Sequence, residues 1–252
     1  MKRRFTLIGP GRAGLSIHGA LSGLGWQCAG IYGRDDDVSG AAADVELCII
    51  ATPDASIRDV SASVKPGEAV VMHLSGATPL SVLDGHNATA ALHPLQSLPN
   101  AEVGAASLRG CYFAVAGDPI AQQLADELSG KWFVIADADR ALYHAAAVVA
   151  SNHTVALIGQ VNRLAASIGV PLEAFGSMVS TSVRNAFDHG PASALTGPVK
   201  RGDDATIEAH REVLARSHPG ELAGYDAMVE LARRLVEQSN RAQDPKHNSM
   251  DS

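Results

Sequence analysis

The stretch FTLIGPGRAG, Phe5 to Gly14, constrains what this chain can fold into more than any other. A short apolar run stops at three glycines, Gly9, Gly11 and Gly14, in G-x-G-x-x-G spacing. Ala13, Ile17, Leu21 and Leu24 then recur at helical intervals, so a strand turns sharply into a helix that lays one face on a sheet. Each glycine has a separate reason in that setting: a tight turn, close approach of backbone to a pyrophosphate, and close packing of helix on strand. The loop Gly9, Pro10, Gly11, Arg12, Ala13 and Gly14 is therefore the expected cradle for the phosphates of a dinucleotide, held by backbone N–H groups and the helix N-terminus.

Six further apolar runs of strand length follow: CAGIYG, VELCIIAT, AVVMHL, TAALH, CYFAVAG and WFVIAD. Alternation of such runs with helical segments predicts an α/β domain, a Rossmann-type, doubly wound, mostly parallel sheet. Near Ala136 the pattern changes. The segment from Asp137 to Gly169 is rich in Ala, Leu and Val and contains no proline, which predicts one long helix, buried in a helical domain or at a dimer interface. Further helices are expected around PLEAFGSMVSTSVRNAF, DATIEAHREVLA and GYDAMVELARRLVEQ. The expected organisation is a dinucleotide-binding domain over 1–136, an all-helical substrate and dimerisation domain over 137–238, and a disordered polar tail over 239–252.

The net charge of −7 in 252 residues argues against nucleic acid or an anionic membrane as partner. No apolar run approaches membrane-spanning length and MKRRFTLIGPG does not read as a signal peptide, so a cytoplasmic protein is expected. Cys28, Cys48 and Cys111 lie in or beside strand-like runs without metal-ligand spacing, and read as buried thiols; no metal is expected.

The second strand ends IYGRDDD, where a residue reading the adenosine ribose belongs. Gly33 leaves room for a 2′-phosphate and Arg34 offers it a charge-assisted fork, which favours NADP, with NAD the lesser option. In the alternative, Asp35 or Asp36 takes the acid's role and Arg34 is a solvated charge. Ala51, Thr52 and Pro53 of ATPD, with Ser75 of HLSG, are expected at the carboxyl edge of the sheet beside the cofactor. His73, His93, Gln96 and Ser97 stand at neighbouring strand ends, so polar groups line one cleft.

Taken in order, GPGRAG, ATPD, HLSGATPL, ALHPLQS, YHAAAVVASNHTVAL and ALTGPVKRGD resemble a bacterial two-domain family, a Rossmann-like domain followed by the domain of unknown function DUF2520. Its wider relatives are the 6-phosphogluconate-dehydrogenase-like reductases, among them ketopantoate reductase, prephenate dehydrogenase and pyrroline-carboxylate reductase. The resemblance implies a nicotinamide-dependent oxidoreductase, dimeric through its helical domain. Many of those relatives carry a lysine on the long helix with an asparagine one turn later. Asn152 matches the asparagine, but the lysine position is Val148 here.

Helical spacing would put His144, Val148, Ser151, Asn152 and Val155 on one face, so His144 or Ser151 could replace the missing group. The expected roles are Asn152 orienting a carbonyl, His144 or else His93 supplying the proton, and Ser151 beside them. In ALTGPVKRGD, read as an irregular loop, Arg201 and Lys200 would hold the substrate, with His73 and Gln96. Asp203 is expected to cap the next helix. The expected substrate is a small carboxylate, a 2-oxo acid such as ketopantoate. Dehydrogenation of a cyclic acid such as prephenate, or a non-catalytic dinucleotide sensor, are the alternatives.

Overall fold

The computed structural model describes residues 3–243. Seven strands form one sheet in the order β2-β1-β3-β4-β5-β6-β7: β1 (Arg4–Ile8), β2 (Gln27–Tyr32), β3 (Leu47–Ile50), β4 (Val70–His73), β5 (Thr89–Pro94), β6 (Tyr112–Gly117) and β7 (Lys131–Val134). All neighbours run parallel except β5 and β6, which are antiparallel. Each strand coincides with one of the apolar runs. Strands β1 and β3 are buried along nearly their whole length, as expected of a sheet covered on both faces.

Helices α1 (Arg12–Gly23), α3 (Ala101–Ser107) and α4 (Ile120–Glu127) cover one face, packing Ile17, Leu21, Leu108, Leu124 and Leu128 against Phe5, Leu7, Leu47 and Leu92. Helix α2 (Ile57–Ser63) and the turn at Leu80–Leu83 cover the other, joining Ile57, Val82 and Leu83 to Ile8, Cys48, Ile50 and Val71. Burial of each such side chain is worth roughly 1.5–3 kcal/mol. No helix joins β2 to β3; only turns span that link, and Ala41 and Ala42 fill the space a crossover helix would take. Strand β2 therefore lies outside β1 while β3 lies on its other side, and the strand order reverses at β1. A ligand cleft belongs at the carboxyl ends of strands around such a point.

The chain divides into two compact units, 1–153 and 154–252. Helix α5 (Arg140–Val148) and the turn after it thus go with the sheet unit, beyond the boundary drawn at 136. The aromatic contacts of Tyr143 with His93 and Phe133 tie α5 to β5 and β7. The long helix of the sequence is present as one helical span, Asp137–Ser167, in which a π-helical turn over Val149–His153 separates α5 from α6 (Thr154–Ser167). It is not buried. The span Asp137–Ser167 is long and apolar enough to cross a membrane by length and composition, contrary to the sequence reading, and none of its most apolar window is buried within the chain.

The second unit contains α6 with α7 (Gly176–His189), two single turns α8 (Pro191–Ala194) and α9 (Pro198–Arg201), α10 (Asp204–Ser217) and α11 (Pro219–Gln243). The stretch ALTGPVKRGD is thus not wholly irregular, since Pro198 starts a helical turn that Gly202 ends in a left-handed conformation. Residues 239–243 continue α11 rather than beginning a tail, and the rest of the expected tail lies outside the described residues. Of the three cysteines, all free, Cys48 is buried and Cys28 and Cys111 are half-buried. Burial pushes the Cys48 and Cys111 thiols up to about 11.

Candidate functional site

The glycine loop joins β1 to α1. Gly9 has φ +93°, and a Cβ there would lie 2.8 Å from the Ala51 carbonyl, so the loop touches the end of β3 backbone to backbone. A Cβ on Gly14 would lie 2.2 Å from the Gly9 carbonyl oxygen. Gly11 is different: it caps α1 in an extended conformation, and a Cβ there would meet nothing within 4 Å. Two glycines are therefore required by the protein itself, while the third faces open space where a phosphate group can approach the helix N-terminus.

A cleft of about 740 Å³ opens at this loop, lined among others by Gly9, Pro10, Gly11, Gly33, Arg34, Ala51, Thr52 and Pro53. Arg12, Ala13 and Gly14 form the first turn of α1 beside it. Arg34 is exposed at the cleft's edge, with Asp36 and Asp37 on the same wall. Asp36 accepts from the Gly33 amide at 2.6 Å, and Asp37 from the Ser39 amide at 2.8 Å, so both carboxylates are engaged in the turn after β2. These bonds hold the Asp37 carboxyl below the usual carboxylate range. The Thr52 hydroxyl is buried with no hydrogen-bond partner among the described residues, although the residue lines the cleft. A glycine loop with one open Cα, a helix N-terminus and an unsatisfied hydroxyl on the wall together fit a dinucleotide.

A second group of residues gathers at the carboxyl ends of β4 and β5. His73 ends β4, fully buried, and its Nδ1 accepts from the Ser75 amide at 3.2 Å. The ring proton accordingly sits on Nε2, which has no partner in hydrogen-bond geometry among the described residues. Burial first, then the nearby Arg140 charge, lower the His73 pKa to about 4. Ser75 is buried and committed to its own turn: its hydroxyl donates to the Thr78 Oγ1 at 2.8 Å and accepts from the Ala77 and Thr78 amides. Gly76 follows, and a Cβ there would sit 2.9 Å from the His93 imidazole and 3.0 Å from His144. Two imidazoles, one from β5 and one from α5, thus converge on a position that only glycine leaves free.

His93 is held from behind: Tyr143 bonds its Nδ1 at 2.7 Å, and the two rings meet edge to face. Burial, then His144, with a smaller contribution from Arg140, lower the His93 pKa to about 4, against the pull of the Asp54 carboxylate. Burial also raises the Tyr143 phenol to about 12. At neutral pH His93 is therefore an uncharged imidazole beside a protonated phenol. His144 is half-buried, its ring centroid 6.0 Å from that of His93.

Other expected residues are placed elsewhere. Ser151 and Asn152 are exposed on the π-helical turn, with the Ser151 hydroxyl donating to the Ala147 carbonyl and lying 2.8 Å from the Asn152 carboxamide oxygen. The extra residue of that turn changes the helix phase, so the single face predicted for His144 through Val155 is not a simple α-helical one. Gln96 is exposed and bonds the Ser107 carbonyl and the Ser97 amide, so its amide serves the loop before α3. In the second unit Lys200 is exposed, and Arg201 lies 3.7 Å from Asp203. Asp203 caps α10, accepting from the Thr206 amide and hydroxyl. Among the described residues no group of three or more His, Cys, Asp or Glu could hold a metal ion.

Sequence reasoning placed Gly76 in the HLSG strand-end motif but did not single out Arg140 or Asp137. Arg140 is almost wholly buried, its Nε donating to Asp137 at 2.9 Å. The signal was a lone cation at the head of an apolar helix, three residues after an acid and three before Tyr143.

The sheet order, the loop and the cleft define a Rossmann-type domain joined to a helical one. Residues 111–232 match the domain of unknown function DUF2520, the domain that the resemblance implied. Similar solved structures include a Bacteroides fragilis protein described provisionally as an NADP oxidoreductase (18% identical, TM-score 0.78, covering 92% of this chain and 98% of that one). A Thermotoga maritima protein is 24% identical with a TM-score of 0.72, over 94% of this chain and 99% of its own. The pyrroline carboxylate reductase of Plasmodium falciparum, solved with NADP bound, is 10% identical with a TM-score of 0.60, over 93% and 98%. No curated protein matches the sequence.

Proposed function

We propose that the chain is a nicotinamide-dependent oxidoreductase, using NADP, that reduces a small 2-oxo acid. The observation that carries the reading is the convergence of His93 and His144 on Gly76, at strand ends adjoining a cleft that fits a dinucleotide. The backbone of Gly9 to Gly14 would hold the pyrophosphate, and Thr52 would give its unused hydroxyl to the bound cofactor. Arg34 would face a 2′-phosphate, which the absence of a side chain at Gly33 leaves room for. The bound cofactor would supply a hydride to the carbonyl carbon.

The chain's own part is to hold the carbonyl and give its oxygen a proton. Tyr143 fixes the His93 ring, and the neutral imidazole can then orient the carbonyl oxygen without competing for the proton. His144 would deliver the proton as the C=O bond becomes a C–O–H group. Asn152 and Ser151 would complete the site from the π-helical turn, a type of irregularity often found at functional positions. Arg201 and Lys200 are candidates for holding an anion from the second unit. The small, weakly aromatic composition suits a compact substrate (4% aromatic), and ketopantoate is the acid to assay first.

The same reading includes a homodimer in the cytoplasm. Leu142, Val149 and Val155 on the long helical span and Met178 and Phe187 on α7 are all more than half exposed in the single chain. A second copy is a better cover for them than lipid, because Ser151, Asn152 and His153 interrupt the span at its middle.

The test is steady-state NADPH oxidation with a panel of 2-oxo acids, with prephenate and NADP assayed in the reverse sense. Turnover of one 2-oxo acid, lost in His144→Ala and Asn152→Ala with NADPH binding intact, is expected. Turnover of prephenate alone would reassign the substrate. Tight NADPH binding without turnover of any carbonyl would make the protein a sensor, as the valine at position 148 allows.

A further inference from the structure

Arg140 is the least accommodated charge in the sheet unit. Its side chain is 1% exposed, only its Nε is paired, with Asp137, and Nη1 and Nη2 are buried without an acceptor among the described residues. A buried guanidinium with both terminal nitrogens unpaired is costly unless something satisfies it. Asp137 does not do so: its Oδ1 accepts from Arg140 Nε and from the Leu80 amide, both at 2.9 Å, and neither terminal nitrogen bonds it.

The groups around the guanidinium do not supply acceptors either. Its charge is felt at His73, His93 and Tyr143, all from the β4, β5 and α5 ends. His73 is no acceptor, since its Nδ1 already accepts from the Ser75 amide and its Nε2 carries the proton, with the Pro79 carbonyl as its backbone neighbour. Tyr143 is engaged with His93. The donors left over are therefore the two terminal nitrogens of Arg140. A planar oxyanion with four lone-pair sites matches a guanidinium fork, and a neutral ligand does not.

We propose that Arg140 is the carboxylate-recognition group of this site, and so the residue that restricts substrates to acids. The proposal rests on the reading of a small carboxylate substrate and adds to it which cation takes the carboxylate. The exposed Arg201 already has Asp203 as a neighbour, whereas the Arg140 fork has no acceptor among the described residues. The interior location strengthens the contact, because a charge-assisted pair is weakly screened where water is scarce.

Oxamate, an unreactive carboxylate analogue of a 2-oxo acid, and neutral oxamide are the probes, titrated by calorimetry with and without saturating NADPH. The wild type is expected to bind oxamate at least about tenfold more tightly than oxamide, and Arg140→Lys to lose about tenfold or more of the oxamate affinity while NADPH affinity holds. Equal binding of the two probes, or wild-type oxamate affinity in Arg140→Lys, overturns the proposal. Should Arg140→Lys not fold, a wild-type crystal soaked in oxamate decides it: a carboxylate on the Arg140 fork supports the proposal and one bound elsewhere overturns it. Failure of the wider reading looks different, since oxamate would then still require Arg140 although no 2-oxo acid is turned over.

Discussion

Individual residues divide into those the protein needs and those a ligand needs, and the glycine loop separates the two. Gly9→Ala forces a side chain onto a positive φ and against the Ala51 backbone, so it should lower stability by about 1–3 kcal/mol, visible as a fall in Tm. Gly11→Val should melt like the wild type, because its side chain points into open space, yet weaken NADPH by occupying the phosphate's approach. A normal NADPH affinity in a folded Gly11→Val protein would take the cofactor away from this loop. The buried imidazoles carry a pH signature. His73 and His93 have pKa values lowered to about 4, below the ordinary 6.5, so between those values the unfolded chain binds more protons than the folded one. Stability should be full above about pH 6.5 and fall as pH drops toward 4. Melting curves across that range should steepen this way in the wild type and less so in His73→Gln.

At the scale of elements, strands and their order of appearance were legible because apolar runs bounded by glycine or proline carry their own signal. The antiparallel entry of β6 was not, since period and composition are the same for either direction. The π-helical turn was equally hidden: VVASNHTV has nothing to distinguish an inserted residue from regular helix, and its consequence, a changed phase between His144 and Asn152, could only be seen in three dimensions. Asp203 was readable because capping needs only an acid before a helix-forming run. Asp203→Ala should cost about 1 kcal/mol by loss of the Thr206 bonds, and a melting experiment checks it. Arg140 shows the opposite limit. A cation in an apolar helix reads as surface, and only the packing of α5 with the strand ends reveals it as interior.

The whole molecule joins a nucleotide-type sheet unit to a helical unit with much uncovered apolar surface. If that surface is a self-association face, light scattering should give twice the chain mass of 26.1 kDa, and Val155→Asp together with Phe187→Glu should give a monomer. A monomeric wild type would leave the apolar span Asp137–Ser167 to another partner or to lipid. The proposed reaction depends on a dinucleotide in the cleft between the glycine loop and Arg34. Calorimetric titration of the purified protein with NADPH and NADH tests that most directly. The account predicts one saturable NADPH site per chain, with NADH weaker by about ten- to a hundred-fold and the difference reduced in Arg34→Ala. No saturable binding of either dinucleotide would contradict it.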